Sequence, residues 1–277
     1  MARWMAHAGR PRKQLAHLAI RTRRWLPGGL RRRLNLDGVA ATEDRTDVDS
    51  TAATTATTLL AGCTAAVLEG RAVAAVATVA RTCGHALDID REHCCGALDQ
   101  HLGCTAERSL PVLSSVTSAV AINSGCLSQW QDALGATSVA GINAWLDALC
   151  ATHSNRLVEK TLRVALHLPC TQQGQPKEVA AIRRLVARLP GVSLLEFPAQ
   201  PGCCGAAGTY FLNQPEIAQS LANTLSAQAR AMRPDVILSA NGACRAQLAQ
   251  ALFDAGADIR VLHPAELLAE YLDEPTR

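Results

Sequence analysis

Two hydrophobic periods alternate along this chain. Short apolar runs, the mark of buried strands, are separated by longer stretches in which apolar residues recur every three or four positions, the mark of helices. In the first half, strands are expected at Thr58–Ala61, His85–Ile89 and Val116–Asn123. Helices are expected at Gly70–Thr82, where Val73, Val76, Ala77 and Ala80 share a face, and at Ile142–Cys150. The second half reads more clearly. Its strands are Leu162–Leu168, Val192–Phe197, Asp235–Ser239 and Ile259–Leu262, and its helices are Lys177–Arg188, Pro215–Arg230, Cys244–Phe253 and Pro264–Tyr271. Strands separated by helices imply βαβ units and parallel sheets, so the fold class is α/β. In such sheets ligands bind beyond the C-terminal ends of the strands.

The pattern occurs twice, and cysteines mark the repeat. Cys94-Cys95-Gly96-Ala97 recurs as Cys203-Cys204-Gly205-Ala206. Each copy lies in a longer series: Cys63, Cys94, Cys95 and Cys126 in the first half, Cys170, Cys203, Cys204 and Cys244 in the second. The intervening gaps are 30 and 30 residues against 32 and 39. The flanks repeat as well, Leu59–Thr64 matching Leu166–Thr171, and Ala121–Cys126 matching Leu238–Cys244 with a one-residue shift at the asparagine. Internal duplication follows, with two tandem βαβ-type cysteine-rich domains over residues 57–155 and 156–277, after an arm and linker over 1–56. The first copy is shorter between its double cysteine and its last cysteine, so a helix matching Pro215–Arg230 is expected to be shortened or lost there.

A disulfide between adjacent cysteines is strained. Two thiolates followed by a glycine, which lets the backbone approach closely, suit a metal clamp instead. All eight repeated cysteines fall just past predicted strand ends, where they can converge. Cys83, Cys104 and Cys150 have no counterpart and read as small apolar residues. His93 and His167 adjoin the two sets as candidate ligands or proton donors, with loop hydrogen bonding the plainer reading. His101 and Tyr210 follow the two Cys-Cys-Gly turns and are candidates to line a pocket.

Composition narrows the setting. Apolar residues make up 48% of the chain and aromatic ones only 3%, so the core is built from Ala, Val and Leu. No apolar run reaches a membrane span and no signal-peptide pattern is present, so a cytoplasmic location is expected. There, cysteines serve as metal ligands or redox groups more often than as disulfides. The net charge of +3 conceals an asymmetry. Residues 1–36 hold ten basic and no acidic residues; 27 less those ten leaves 17 basic against 24 acidic in the remainder. The basic arm reads first as a solvated linker or partner-docking surface. Peripheral contact with an anionic membrane, with Trp4, Trp25 and Leu26 as anchors, ranks second. Nucleic-acid binding is disfavoured.

These motifs resemble the cysteine-rich CCG domain pair of the glycolate oxidase iron–sulfur subunit, the lactate-utilisation proteins and the heterodisulfide reductase B-type subunit. The resemblance covers about residues 57–272. Pro201–Tyr210, His167–Thr171, Cys94–Leu98 with His101–Gly103, and Trp25–Pro27 with Leu30–Arg32 are similar to the glycolate oxidase branch. Gln129 and Gln247 stand where the heterodisulfide reductase branch has a further cysteine, so each site offers four thiolates. No Cys-x-x-Cys-x-x-Cys run precedes Cys63, so a separate ferredoxin-type subunit, or a truncated or split gene, is expected.

The resemblance implies one or two iron–sulfur clusters of the [4Fe–4S] kind, one held by Cys170, Cys203, Cys204 and Cys244, the other by Cys63, Cys94, Cys95 and Cys126. It implies a non-catalytic electron-transfer subunit of a glycolate oxidase-like dehydrogenase, taking electrons from a flavin-containing hydroxy-acid oxidase subunit toward a quinone or other acceptor. No Gly-x-Gly-x-x-Gly run is present to hold a flavin in this chain. Two alternatives stay open: a zinc-stabilised interaction domain, and a heterodisulfide reductase-like thiol–disulfide subunit using the vicinal cysteines.

Overall fold

A computed structural model describes residues 57–63, 69–103, 118–198, 202–208 and 210–272. The basic arm and linker, Cys104, the tail beyond 272 and most of the stretch expected to have lost a helix lie outside the described residues.

The first half contains β1 (Thr57–Leu60), α1 (Gly70–Thr82), β2 (Leu87–Asp90), α2 (Ala97–His101), β3 (Ala119–Ala121), α3 (Ser124–Leu134), β4 (Val139–Gly141) and α4 (Ile142–Thr152). The second half contains β5 (Leu162–Leu166), α5 (Cys170–Gln173), α6 (Pro176–Arg188), β6 (Val192–Glu196), α7 (Tyr210–Asn213), α8 (Pro215–Met232), β7 (Val236–Leu238), α9 (Gly242–Asp254), β8 (Arg260–Leu262) and α10 (Pro264–Tyr271). The strands form two parallel four-stranded sheets, ordered β2-β1-β3-β4 and β6-β5-β7-β8. The α/β fold with duplicated parallel sheets is therefore as the hydrophobic pattern predicts. The strands can be short because both faces are covered: every residue of β3 and of β7 is buried, as parallel sheets require.

The short helices α2, α5 and α7 were not expected, and three further elements differ from the sequence expectation. The strand expected to run to Asn123 ends at Ala121, because Asn123 leaves the sheet to cap α3. Helix α3 was not expected, although Leu127, Trp130 and Leu134 stand at helical spacing in it; its Ser124-Gly125 start has poor helix propensity. Strand β4 was not expected either, because the alanine and glycine of Val139-Ala140-Gly141 have poor strand propensity.

The two sheets share one core. A single cluster of buried residues runs from Leu59, Val76, Val120 and Leu146 in the first half to Val164, Ile182, Leu238 and Leu268 in the second. Helix α6 packs on α4, and α10 packs on α1, so each half lays the same pair of equivalent helices against the other. Smaller clusters around Trp130 and around Leu225 fill the outer face of each sheet.

Polar groups cross the seam at specific points. Asp147 on α4 accepts from Arg184 at 2.8 Å and Arg188 at 3.1 Å, both on α6. The Glu178 carboxylate accepts from the backbone N–H of Asn143 at 3.0 Å and Ala144 at 3.2 Å. It thereby caps α4 from the other half, since α4 starts from Gly141, which has no side chain to do so. A Cβ at Gly141 would collide with the Glu178 carboxylate. Helix α10 instead caps itself through His263 and Glu266.

Candidate metal centre

In each half, three neighbouring strands deliver the repeated cysteines to the C-terminal edge of the sheet. Cys63 follows β1, Cys94 and Cys95 follow β2, and Cys126 follows β3; Cys170, Cys203–Cys204 and Cys244 follow β5, β6 and β7. The central strand lies between the other two, so all four sulfurs of a set meet above it.

The double-cysteine turns depend on glycine. Gly96 and Gly205 have φ of 77° and 79°, a left-handed conformation that costs other residues about 1–2 kcal/mol. A Cβ at Gly205 would also strike the backbone of Ala218. The Gly205 N–H donates to Cys203 Sγ at 3.3 Å.

The last cysteine of each set sits in the first turn of a helix rather than in a loop. Asn123 caps α3 by accepting from Gly125 N at 2.9 Å, and Asn241 caps α9 by accepting from Cys244 N at 3.1 Å. Each asparagine stands three residues before its cysteine, so the repeat needs no shift at this point.

Within each set the sulfurs form a hydrogen-bonded chain. Cys63 and Cys94 lie 3.7 Å apart, and Cys95 bonds to both Cys94 and Cys126. In the second set Cys204 donates to Cys244 at 2.6 Å, while Cys170 and Cys204 both bond to Cys203. Hydrogen bonding with Cys170, and then with Cys204, lowers the Cys203 thiol below its ordinary value. The donors move the other way: bonding to Cys203 raises Cys170 and Cys204, bonding to Cys94 raises Cys63, and bonding to Cys126 raises Cys95. Cys95, Cys204 and Cys244 are buried, and Cys170 is exposed.

The donor set is the test of a metal here. Four sulfurs of one chemical kind converge in each half, which suits iron–sulfur clusters and also a four-cysteine zinc site. They touch one another rather than surround a hollow, and no three His, Cys, Asp or Glu side chains among the described residues stand as an open, ready-made cage. Metal entry must therefore spread the sulfurs and displace their protons.

The neighbouring polar residues differ between the sites. His167 is buried, bonds Ser239 Oγ through Nδ1 at 3.1 Å, and lies edge-on to Phe197. Burial pushes it down to about 4, so it is a neutral imidazole beside Cys203. His93 is instead tied to Asp90 at 2.9 Å. His101 meets the second half's turn, its Cβ lying 3.3 Å from where a Cβ on Gly208 would be, and Tyr210 is partly exposed at the start of α7. Gln129 and Gln247, at the positions of the missing further cysteines, are both buried; Gln129 donates to Gln100 at 2.5 Å and Gln247 to the Ala218 carbonyl at 3.3 Å. Cys150 is core and Cys83 packs against that core, as expected of apolar cysteines.

Sequence reasoning missed Glu69, which is fully buried. Its Oε1 accepts from Asn123 Nδ2 at 2.8 Å and lies against Gly242, and Arg245 Nη2 is 3.5 Å away. Burial raises its pKa; Arg245 and Asn123 oppose that. No local signal marks it, because its partners are 54 or more residues away in sequence.

Residues 164–249 match the family model described as the CCG cysteine-rich domain. The chain is 27% identical over 218 residues to the glycolate oxidase iron–sulfur subunit of Escherichia coli, covering 70% of this chain and 53% of that protein. It is 29% identical to a fumarate reductase (CoM/CoB) subunit from Methanothermobacter marburgensis, covering 39% of this chain and 22% of that one. It is 24% identical to lactate utilization protein A of Oceanobacillus iheyensis, covering 38% and 43%. The chain thus spans about half or less of the length of these relatives. Residues 164–249 thus match the cysteine-rich CCG domain, and the chain is homologous to the glycolate oxidase iron–sulfur subunit and to lactate utilization protein A.

Proposed function

We propose that this chain carries electrons in a 2-hydroxy-acid-oxidising complex similar to glycolate oxidase, with one iron–sulfur cluster of the [4Fe–4S] kind on each cysteine set. The observation that carries this reading is the twofold convergence of four cysteine sulfurs at equivalent sheet edges, in a chain homologous to an iron–sulfur subunit. Cys170, Cys203, Cys204 and Cys244 would hold one cluster; Cys63, Cys94, Cys95 and Cys126 would hold the other. Bound there, a cluster supplies reversible one-electron transfer.

The chain's own residues prepare each place. Gly96 and Gly205 bend the double-cysteine turns, and Asn123 and Asn241 fix the helix ends that present Cys126 and Cys244. The hydrogen-bonded thiols of each set must give up their protons for metal to enter. Burial of Cys95, Cys204 and Cys244 keeps water from one side of each set. The hydroxy-acid chemistry belongs, in this reading, to a flavin-containing partner subunit, and a ferredoxin-type subunit supplies the remaining relay. No helix among the described residues is long and apolar enough to cross a membrane. A cytoplasmic position, with peripheral contact through the basic arm, accords with that.

Anaerobic purification, followed by iron and acid-labile sulfide analysis and visible and electron-paramagnetic spectra, tests the reading. Iron and sulfide in cluster proportion, reduced by a co-purifying flavin protein on adding glycolate or lactate, supports it. A colourless protein with stoichiometric zinc overturns it. Zinc is the second reading on one observation: the 3.7 Å between Cys63 and Cys94 equals the edge of a tetrahedron with about 2.3 Å metal–sulfur bonds.

A further inference from the structure

The helices that present Cys126 and Cys244 start at the seam, and their starts meet there. Ser124 N donates to the Ala240 carbonyl at 2.9 Å, and Ser124 Oγ meets Thr171 Oγ1 at 3.0 Å. A Cβ on Gly125 would lie 3.1 Å from Asn241 Nδ2. Two helix N-termini facing each other repel, since each carries about half a positive charge. One carboxylate lies between them, that of Glu69.

Glu69 precedes α1, yet makes no side-chain cap for its own helix. Its Oε1 instead takes the Asn123 side-chain N–H of α3's cap and lies against Gly242, the first residue of α9. Only glycine fits at 242, because a Cβ there would collide with that oxygen. Arg245, the residue after Cys244, approaches the same oxygen and also donates to the Ser239 carbonyl at 2.9 Å.

We infer that Glu69 is a positioning residue shared by both cysteine sets: one buried carboxylate anchors the helix starts that present Cys126 and Cys244, so that its loss weakens metal binding at both. The inference rests on the reading of the two sets as metal centres, though not on the metal being an iron–sulfur cluster. Outer groups of this kind change metal affinity by about 10–100-fold when removed.

Cobalt(II) titration of the full unloaded chain, under reducing anaerobic conditions, tests it through the thiolate-to-cobalt absorption. Two parents are used, Cys94→Ser with Cys95→Ser, and Cys203→Ser with Cys204→Ser, each leaving one set intact. Glu69→Gln is added to each, and Asp147→Asn, a seam carboxylate away from the cysteines, serves as the control. The expected result is a loss of cobalt affinity of about 10–100-fold in both parents with Glu69→Gln, at unchanged circular dichroism, and no change with Asp147→Asn. A loss in one parent only, an equal loss with Asp147→Asn, or a parent that binds no cobalt overturns the inference. Cobalt binding that behaves as expected in a protein that takes up no iron and sulfide sinks the cluster reading alone. A reconstituted cluster with cobalt affinity untouched by Glu69→Gln sinks this inference alone.

Discussion

The two cysteine sites have the same sulfur framework and different flanks. Both draw four cysteines from three adjacent strands, turn on a left-handed glycine and end on an asparagine-capped helix. Three residues before Cys170 stands His167; three before Cys63 stands Leu60. Five residues before Cys244 stands Ser239; five before Cys126 stands Ala121. The buried pair His167–Ser239 thus occupies the place of a buried Leu–Ala contact. The first half has a different polar pair, Asp90–His93, on the strand end and turn that lead to Cys94. Duplication therefore preserved what the sulfurs need to converge and let the groups that tune them diverge.

The largest test removes one framework at a time. Cys203→Ser with Cys204→Ser is expected to abolish the second site's iron and leave the first's; Cys94→Ser with Cys95→Ser is expected to do the reverse. Iron per chain, measured after reconstitution, should fall by half in each. If one pair removes all of it, the two sites are not equivalent holders.

Next in size is an exchange of flanks. His167→Leu with Ser239→Ala gives the second site the first site's apolar contact. Replacing both partners of a buried hydrogen bond by apolar groups of fitting shape is nearly neutral for stability. The reduction potential of the second site is expected to shift toward that of the first, because the buried polar pair beside Cys203 is replaced by an apolar contact. An unchanged potential would make the difference between the flanks irrelevant to redox.

The caps of α4 and α10 occupy equivalent positions and are built differently. Glu178→Ala leaves α4 with no carboxylate on its first N–H groups and is expected to cost about 1–2 kcal/mol in urea unfolding. Glu266→Ala should cost less, about 0.5 kcal/mol, because His263 still caps α10. Equal costs would show that the cap from the other half adds nothing to the seam.

The smallest effect is in pH. His263 is fully buried and held well below its ordinary value of 6.5, by burial first and then by Arg245. A depressed histidine adds stability above the unfolded value, which is lost as pH falls below about 6.5, with a slope of at most about 1.4 kcal/mol per pH unit. His263→Asn keeps a capping side chain without the titration, so the stability of the unloaded protein should fall less between neutral pH and pH values below 6.5. Gly141, at the equivalent place in the first half, contributes no such dependence.

What the sequence determined by itself was local and repeated. Apolar period set the α/β class, the order of most strands and helices, and the place of each cysteine after a strand end, since burial of alternating faces is written residue by residue. Asn123 and Asn241 were legible as a repeat, though read with a one-residue shift that the structure removes. Helix α3 and strand β4 were not read, because the start of the one has poor helix propensity and the alanine and glycine of the other poor strand propensity. Tertiary structure alone decided that the two sheets share a core and exchange helices across a seam. It alone decided that Glu178 caps a helix of the other half, that Glu69 meets Arg245 across the seam, and that His167 is neutral and buried beside Cys203. Those contacts join residues tens of positions apart, and their energies come from burial and from the meeting of helix ends, which no window of sequence contains.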